Sequence, residues 1–143
     1  SSLDLSARPV TIDLDPGENI IVTFQNTKQG SITVVKDALP DDPQDFTFTG
    51  TLGSITLDDD ADGTLSNTKT FSNLTPGSFV ITEDMIVGWT VSDIVISGDI
   101  DNGSTIDISN RTATIDLDQG ENITIRFENT KTTRPEGLSR ALA

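Results

Sequence analysis

The chain of 143 residues contains no cysteine, no histidine and no tyrosine. Without Cys or His there is no Ser-His-Asp or Cys-His nucleophile system, no zinc site of the usual N/S type and no disulfide. Positive charge is scarce: 9 Lys and Arg stand against 23 Asp and Glu, a net charge of −14. Such a chain repels phosphates, which argues against a nucleic-acid partner. No apolar run reaches the length of a membrane span and no signal peptide is found. Direct membrane insertion is therefore not expected, and the chain reads as a mature soluble segment. Good helix formers are few as well, with 1 Met, 4 Lys and 5 Glu. No cofactor is required by what remains; the open option is a hard cation such as Ca2+ held by oxygen ligands.

What is abundant is Ser and Thr, 34 residues together, with many Val and Ile beside them. β-Branched residues suit the pleated, half-buried surface of a strand, so an all-β fold is expected. Period-two alternation marks strands at 31–36, 45–50, 53–57, 68–74, 78–83, 89–97, 104–109, 112–117 and 122–129. Pro76-Gly77 and Gly88 punctuate them, and Asp101-Asn102-Gly103 reads as a hairpin turn of the Asn-Gly type. Many short strands at this spacing predict an antiparallel immunoglobulin-like β-sandwich of about seven strands.

The chain also repeats itself. Residues 1–28 recur as residues 104–131 at a constant offset of 103, without a gap and with 17 of 28 positions identical. A 103-residue period is one β-domain. The expected division is therefore 1–28 as the terminal strands of a preceding repeat, 29–131 as a complete repeat, and 132–143 as a tail or linker. Residues 1–28 are either a remnant of a tandem array or strands that fill a neighbouring subunit's sheet and build a polymer.

Alternate side chains of a strand share a face. Ile32, Val34 and Lys36 share one, as do Phe79, Ile81 and Glu83, and Ile123, Ile125, Phe127 and Asn129; the front copy repeats the last as Ile20, Val22, Phe24 and Asn26. A Lys, a Glu and an Asn thus continue three inward apolar rows, where charge is costly unless paired or neutralised.

At these residues the sequence resembles the Cna-B, or SpaA-like, prealbumin-type domains of bacterial surface proteins and pilins. The resemblance rests on Gly30-Ser-Ile-Thr-Val-Val-Lys36-Asp37, on Leu74-Thr-Pro-Gly-Ser-Phe-Val-Ile-Thr-Glu83 followed by Gly88-Trp89, and on Phe127-Glu-Asn129-Thr-Lys131. It implies a prealbumin-type sandwich in which Lys36 and Asn129 join in a spontaneous isopeptide bond. Glu83 would be the catalytic proton shuttle, and this single autocatalytic turnover would be the only chemistry in a non-enzymatic protein. The alternative is an ordinary Lys36–Glu83 ion pair with Asn129 as a strand-end cap. The sequence departs from the resembled pattern at Phe79, where a Tyr is common, and at Ile96 and Ile125, where a related group carries a Cys pair.

Two further signals stand apart. Asp58-x-Asp60-x-Asp62-Gly63 is the front half of a calcium loop, but the position of the closing bidentate Glu is Lys69, which leaves a weak Ca2+ site or a solvated acidic turn. Sequons fall at Asn73, Asn102, Asn110 and Asn122. Trp89 reads as a core residue. The expected role is a structural repeat of an extracellular or cell-surface protein or filament, partnered by copies of itself or by neighbouring repeats of a polymer or array. An adhesin-type module that binds a glycan or protein through its loops is the alternative.

Overall fold

The computed structural model describes residues 1–60 and 62–132. The rest of the tail expected at 132–143 lies outside the described residues. Within them the chain forms eleven strands and no helix, so no helix is long and apolar enough to cross a membrane. The strands are β1 (Ser2–Leu3), β2 (Val10–Thr11), β3 (Gly30–Leu39), β4 (Asp42–Gly50), β5 (Ile55–Asp59) and β6 (Thr68–Leu74). They continue as β7 (Gly77–Glu83), β8 (Trp89–Ser97), β9 (Thr105–Asp107), β10 (Thr112–Leu117) and β11 (Asn122–Lys131).

Strands β3 to β11 build a sandwich of a five-stranded sheet, β5-β4-β7-β10-β9, and a four-stranded sheet, β6-β3-β11-β8. The count is nine rather than about seven. Neighbours are antiparallel except β3 and β11, which run parallel in continuous register from Ser31↔Asn122 to Leu39↔Thr130. The first and last strands of the repeat are therefore joined side by side at the centre of one sheet. Inward rows from both sheets interdigitate: Ile32 and Val34, Phe46 and Phe48, Ile115 and Leu117, Ile123, Ile125 and Phe127 are all buried. Phe48 meets Phe127 edge-on across the sandwich at 5.0 Å, and Phe46 meets Trp89 in the same way at 5.3 Å. Such pairs add to the burial of apolar area. Trp89 is accordingly half-buried against the core.

The 101–103 turn departs from expectation. Its flanking strands β8 and β9 lie in different sheets, so the segment crosses the sandwich instead of closing a hairpin. The hairpin is the next connection, between β9 and β10, where Arg111 takes a left-handed φ of 55°. Close packing of strands also fixes Gly50: at φ +146° a Cβ there would lie 1.9 Å from the Val80 carbonyl oxygen, so no larger residue fits without moving backbone.

Residues 1–28 keep the local shape of their counterparts. Ser2↔Thr11 and Leu3↔Val10 reproduce Thr105↔Thr114 and Ile106↔Ala113. Arg8 and Gly17 take left-handed φ values of 68° and 84°, as Arg111 and Gly120 do at 55° and 73°. Glu18 accepts a hydrogen bond from the Asp15 amide, as Glu121 does from Asp118. What differs is strand pairing and burial: residues 12–28 form no strand, whereas their counterparts 115–131 hold the second half of β10 and all of β11. Phe24 is 66% exposed and Leu14 62%, whereas Phe127 and Leu117 are 0% and 1% exposed.

Candidate cross-link site

The same alternation that buries Ile32 and Val34 carries the Lys36 side chain inward, and its residue is wholly buried. β11 does the same for Asn129 and β7, from the facing sheet, for Glu83, each 1% exposed. The parallel register sets Lys36 beside Phe127 and Asn129 beside Ala38, so Lys36 and Asn129 lie on adjacent strands with inward faces aligned. The Glu83 carboxylate stands between them: Lys36 Nζ is 3.4 Å from Oε2, and Asn129 Nδ2 donates to Oε1. Lys36 Nζ also donates to the Phe127 carbonyl at 3.0 Å and lies 4.4 Å from the centre of the Phe46 ring. The structure thus brings together the three residues singled out from the sequence.

Their surroundings drive both titratable groups toward neutral forms. Burial lowers the Lys36 amine to about 8, against the opposing pull of the Glu83 carboxylate and more distant Asp37 and Asp59. Burial likewise raises the Glu83 carboxyl, only partly offset by Lys36, Asn129 and Arg111. Glu83 Oε2 and Asn129 Oδ1 have no hydrogen-bond partner. Turning the Asn129 amide by half a rotation exchanges its N and O and sets Oδ1 against the carboxyl, where a protonated Glu83 can donate to it.

Several contributors carried no signal of their own in the sequence. Phe46 roofs the amine from β4, a strand noted only for its alternation. Arg111 Nε donates to the Glu83 carbonyl at 3.0 Å; the one available hint was its recurrence as Arg8. Glu121, 2% exposed, clamps two loops by accepting from the Ile100 amide at 2.8 Å and the Asp118 amide at 2.8 Å. In the sheet that carries Lys36 and Asn129, Ile96 of β8 stands directly across from Ile125 of β11.

The other singled-out residues lie elsewhere. Carboxylate oxygens of Asp58, Asp60 and Asp62 lie within 4.8 Å of one another at the end of β5, and Asp58 is buried. Lys69 sits on exposed β6 with its amine 5.7 Å over the Phe71 ring. Asp99, Asp101 and Glu121 form a second acidic group and Asp101, Asp116 and Asp118 a third, which the hairpin expectation had not joined. Asn73, Asn102, Asn110 and Asn122 are all exposed. Of these, Asn110 Nδ2 donates to Asp107 at 2.7 Å, and Asn122 Oδ1 accepts from Ser31 at 2.7 Å.

Comparison with known proteins gives a family and a fold. A family of the SpaA type, described as a prealbumin-like fold domain, matches residues 32–131. Among solved structures the chain is similar to a bacterial adhesin from Mobiluncus mulieris containing intramolecular disulfide, isopeptide and ester bond cross-links. The identity is 18% and the TM-score 0.45, over 70% of this chain and 41% of that one. The chain thus spans less than half of that structure's length. No curated protein matches the sequence.

Proposed function

The chain belongs to the SpaA-type prealbumin-like fold domains, and from that premise we propose that it is a non-enzymatic, load-bearing module of a cell-surface or extracellular protein, closed by a Lys36–Asn129 isopeptide bond. The observation that carries this reading is the convergence of one amine, one carboxyl and one carboxamide in an apolar core, with the amine and carboxamide on the first and last strands. An ion pair alone gives little reason for the buried carboxamide.

The reaction balances without a co-reactant. The neutral Lys36 Nζ attacks Asn129 Cγ while protonated Glu83 donates to Oδ1, and a tetrahedral centre forms. Glu83 then relays a proton from Nζ to the Asn129 nitrogen, the Cγ–Nδ2 bond breaks, ammonia leaves, and the proton on Oδ1 returns to Glu83 as the carbonyl re-forms. Glu83 ends as it began. Intact mass tests this: a chain lighter than its sequence by one ammonia supports the link, and a folded chain of full mass overturns it.

Titration supplies a second check. Burial lowers the unlinked Lys36 amine from 10.5 to about 8, and Asn129→Ala, which cannot be linked, is expected to keep this depressed value when folded. Between those values the unfolded chain holds the extra proton, so folding stability rises with pH across that window. Neither Cys nor Tyr is present to titrate there. Urea unfolding from pH 8 to 10.5 should show this rise in the variant, whereas the linked wild type has no Lys36 amine and lacks that increment. Equal slopes in both proteins would count against the link.

The leading segment fits the same role. Its exposed apolar rows match those covered in residues 104–131, and we take their cover to be another repeat body of this type in a polymer or tandem array. A second reading, an adhesin-type module, has in its favour the connection from β7 to β8, where Met85 is 69% and Val87 95% exposed. A glycan array without hits would remove the glycan form of that reading.

A further inference from the structure

We infer that Asp58, Asp60 and Asp62 form a binding site for a divalent hard cation, of calcium's size and ligand class, at the connection between β5 and β6. The cluster alone would be an acidic turn. What sets it apart is Asp58: the residue is 3% exposed, and its Oδ1 is buried without a hydrogen-bond partner. Carboxylate oxygens of all three residues lie within 4.8 Å of one another, so the unpartnered carboxylate faces two more of its own sign. Among the described residues no ion pair reaches Asp58. A carboxylate withdrawn from water with only like charges around it is costly, and a cation is the partner that removes the cost. Consistently, burial together with Asp60, Asp62 and Asp45 raises the Asp58 carboxyl above its ordinary range.

The neighbouring acids already have other work, which leaves Asp58 as the buried anchor. Asp59 Oδ2 accepts from the Ala38 amide at 2.9 Å, Asp60 Oδ1 from the Asp62 amide at 2.9 Å, and Asp62 Oδ1 from the Thr64 amide at 2.8 Å. Each of the last two keeps a second carboxylate oxygen for a metal. A recess lined by Asp58, Asp59, Gly63, Leu65, Ser66 and Asn67 opens beside them and leaves room for water ligands. All-oxygen donors without a nitrogen or sulfur ligand fit a hard ion, and an irregular set completed by water fits calcium better than octahedral magnesium.

Binding would also brace the cross-link strand. The loop returns through Ser66, whose carbonyl accepts from the Asp58 amide at 3.1 Å, to Asn67, whose carbonyl accepts from the Lys36 amide at 2.8 Å. With Asp59 holding Ala38, the acidic loop grips β3 at Lys36 and again two residues beyond it.

Calcium chloride titrated into the chain, followed by calorimetry and by melting temperature, tests the site. Saturable binding with a midpoint of roughly 0.1–1 mM, the range of extracellular calcium modules, is expected, with a weaker response to magnesium chloride. Asp60→Asn and Asp62→Asn should each reduce or abolish it. Asp58→Asn should abolish it while leaving the metal-free protein as stable as the wild type or more so, because a buried like charge is gone. Asp101→Asn, in the separate acidic groups, should leave it unchanged. No calcium binding up to 10-fold above that range overturns the inference, as does a response that survives Asp58→Asn or disappears with Asp101→Asn.

Discussion

Asn129→Ala is expected to leave the chain at its full calculated mass and to lower its melting temperature by roughly 20–40 °C relative to the linked wild type. The bond would close a loop from residue 36 to residue 129, and the chain-entropy estimate for a loop approaching 100 residues is about 4–5 kcal/mol. On a domain near 100 residues each kcal/mol moves the midpoint by about 4–8 °C. Asn129→Ala is the cleanest measure because the Lys36–Glu83 pair survives it. Lys36→Met also prevents the bond, and additionally leaves Glu83 buried without its amine. Glu83→Gln keeps the shape and removes the acid, so it tests the proton shuttle itself. Loss of ammonia in that variant would overturn the role given to Glu83, and an unchanged melting temperature in Asn129→Ala would return the site to an ordinary ion pair.

The same bond would decide how the module carries load. Tension applied at Gly30 and Lys131 pulls parallel neighbours past one another, so their register is loaded in shear. With the bond in place, force passes from residue 36 straight to residue 129, and the chain between them is bypassed. Stretching the linked module can release only the short ends outside the loop. An unlinked module would release most of its chain, on the order of 300 Å at about 3.3–3.6 Å per residue. Single-molecule pulling of the wild type should therefore show no long extension event, and Asn129→Ala should show one.

The site was legible because strand alternation is a local property. Once Ile32 and Val34 face inward, Lys36 must follow, and the same holds for Glu83 after Ile81 and for Asn129 after Phe127. Which strands then pair is a long-range matter. Nothing in residues 30–39 announces a parallel partner more than ninety residues away, although the need to seat Lys36 near Asn129 is satisfied by it. The Asp101-Asn102-Gly103 turn shows the same limit: its residues favour reversal, but not whether the chain returns in its own sheet or in the facing one. Asp58 was singled out as a candidate cation ligand, but its burial escaped for a different reason. Leu57 and Asp58 are consecutive and both buried, which breaks the period-two rule beside a register shift in the pairing of β4 with β5. An acidic residue there reads as solvated until the fold covers it.

Placing a second copy of residues 29–103 ahead of Ser1 should produce two complete sandwiches, lighter than the sequence by two ammonias instead of one. The offset of 103 makes this junction continuous, so residues 1–28 would follow the added body as residues 104–131 follow the present one. Asn26 then takes the position of Asn129, opposite the added copy of Lys36. The driving force is visible in the exposed side chains: Ile12, Leu14, Ile20, Val22 and Phe24 correspond to five residues of the present core that are at most 1% exposed. Burying a Val, Leu, Ile or Phe side chain contributes about 1.5–3 kcal/mol each. A second subunit offers weaker cover, because its own β11 is tethered to the body and, once bonded through Asn129, cannot be displaced. Exchange between subunits would consequently be confined to bodies that have not yet formed the bond. It predicts oligomers that are lost on deleting residues 1–28 and that become more abundant in Asn129→Ala. In the lengthened chain, loss of a single ammonia with the apolar rows still accessible to a hydrophobic dye would show that residues 1–28 do not complete a repeat.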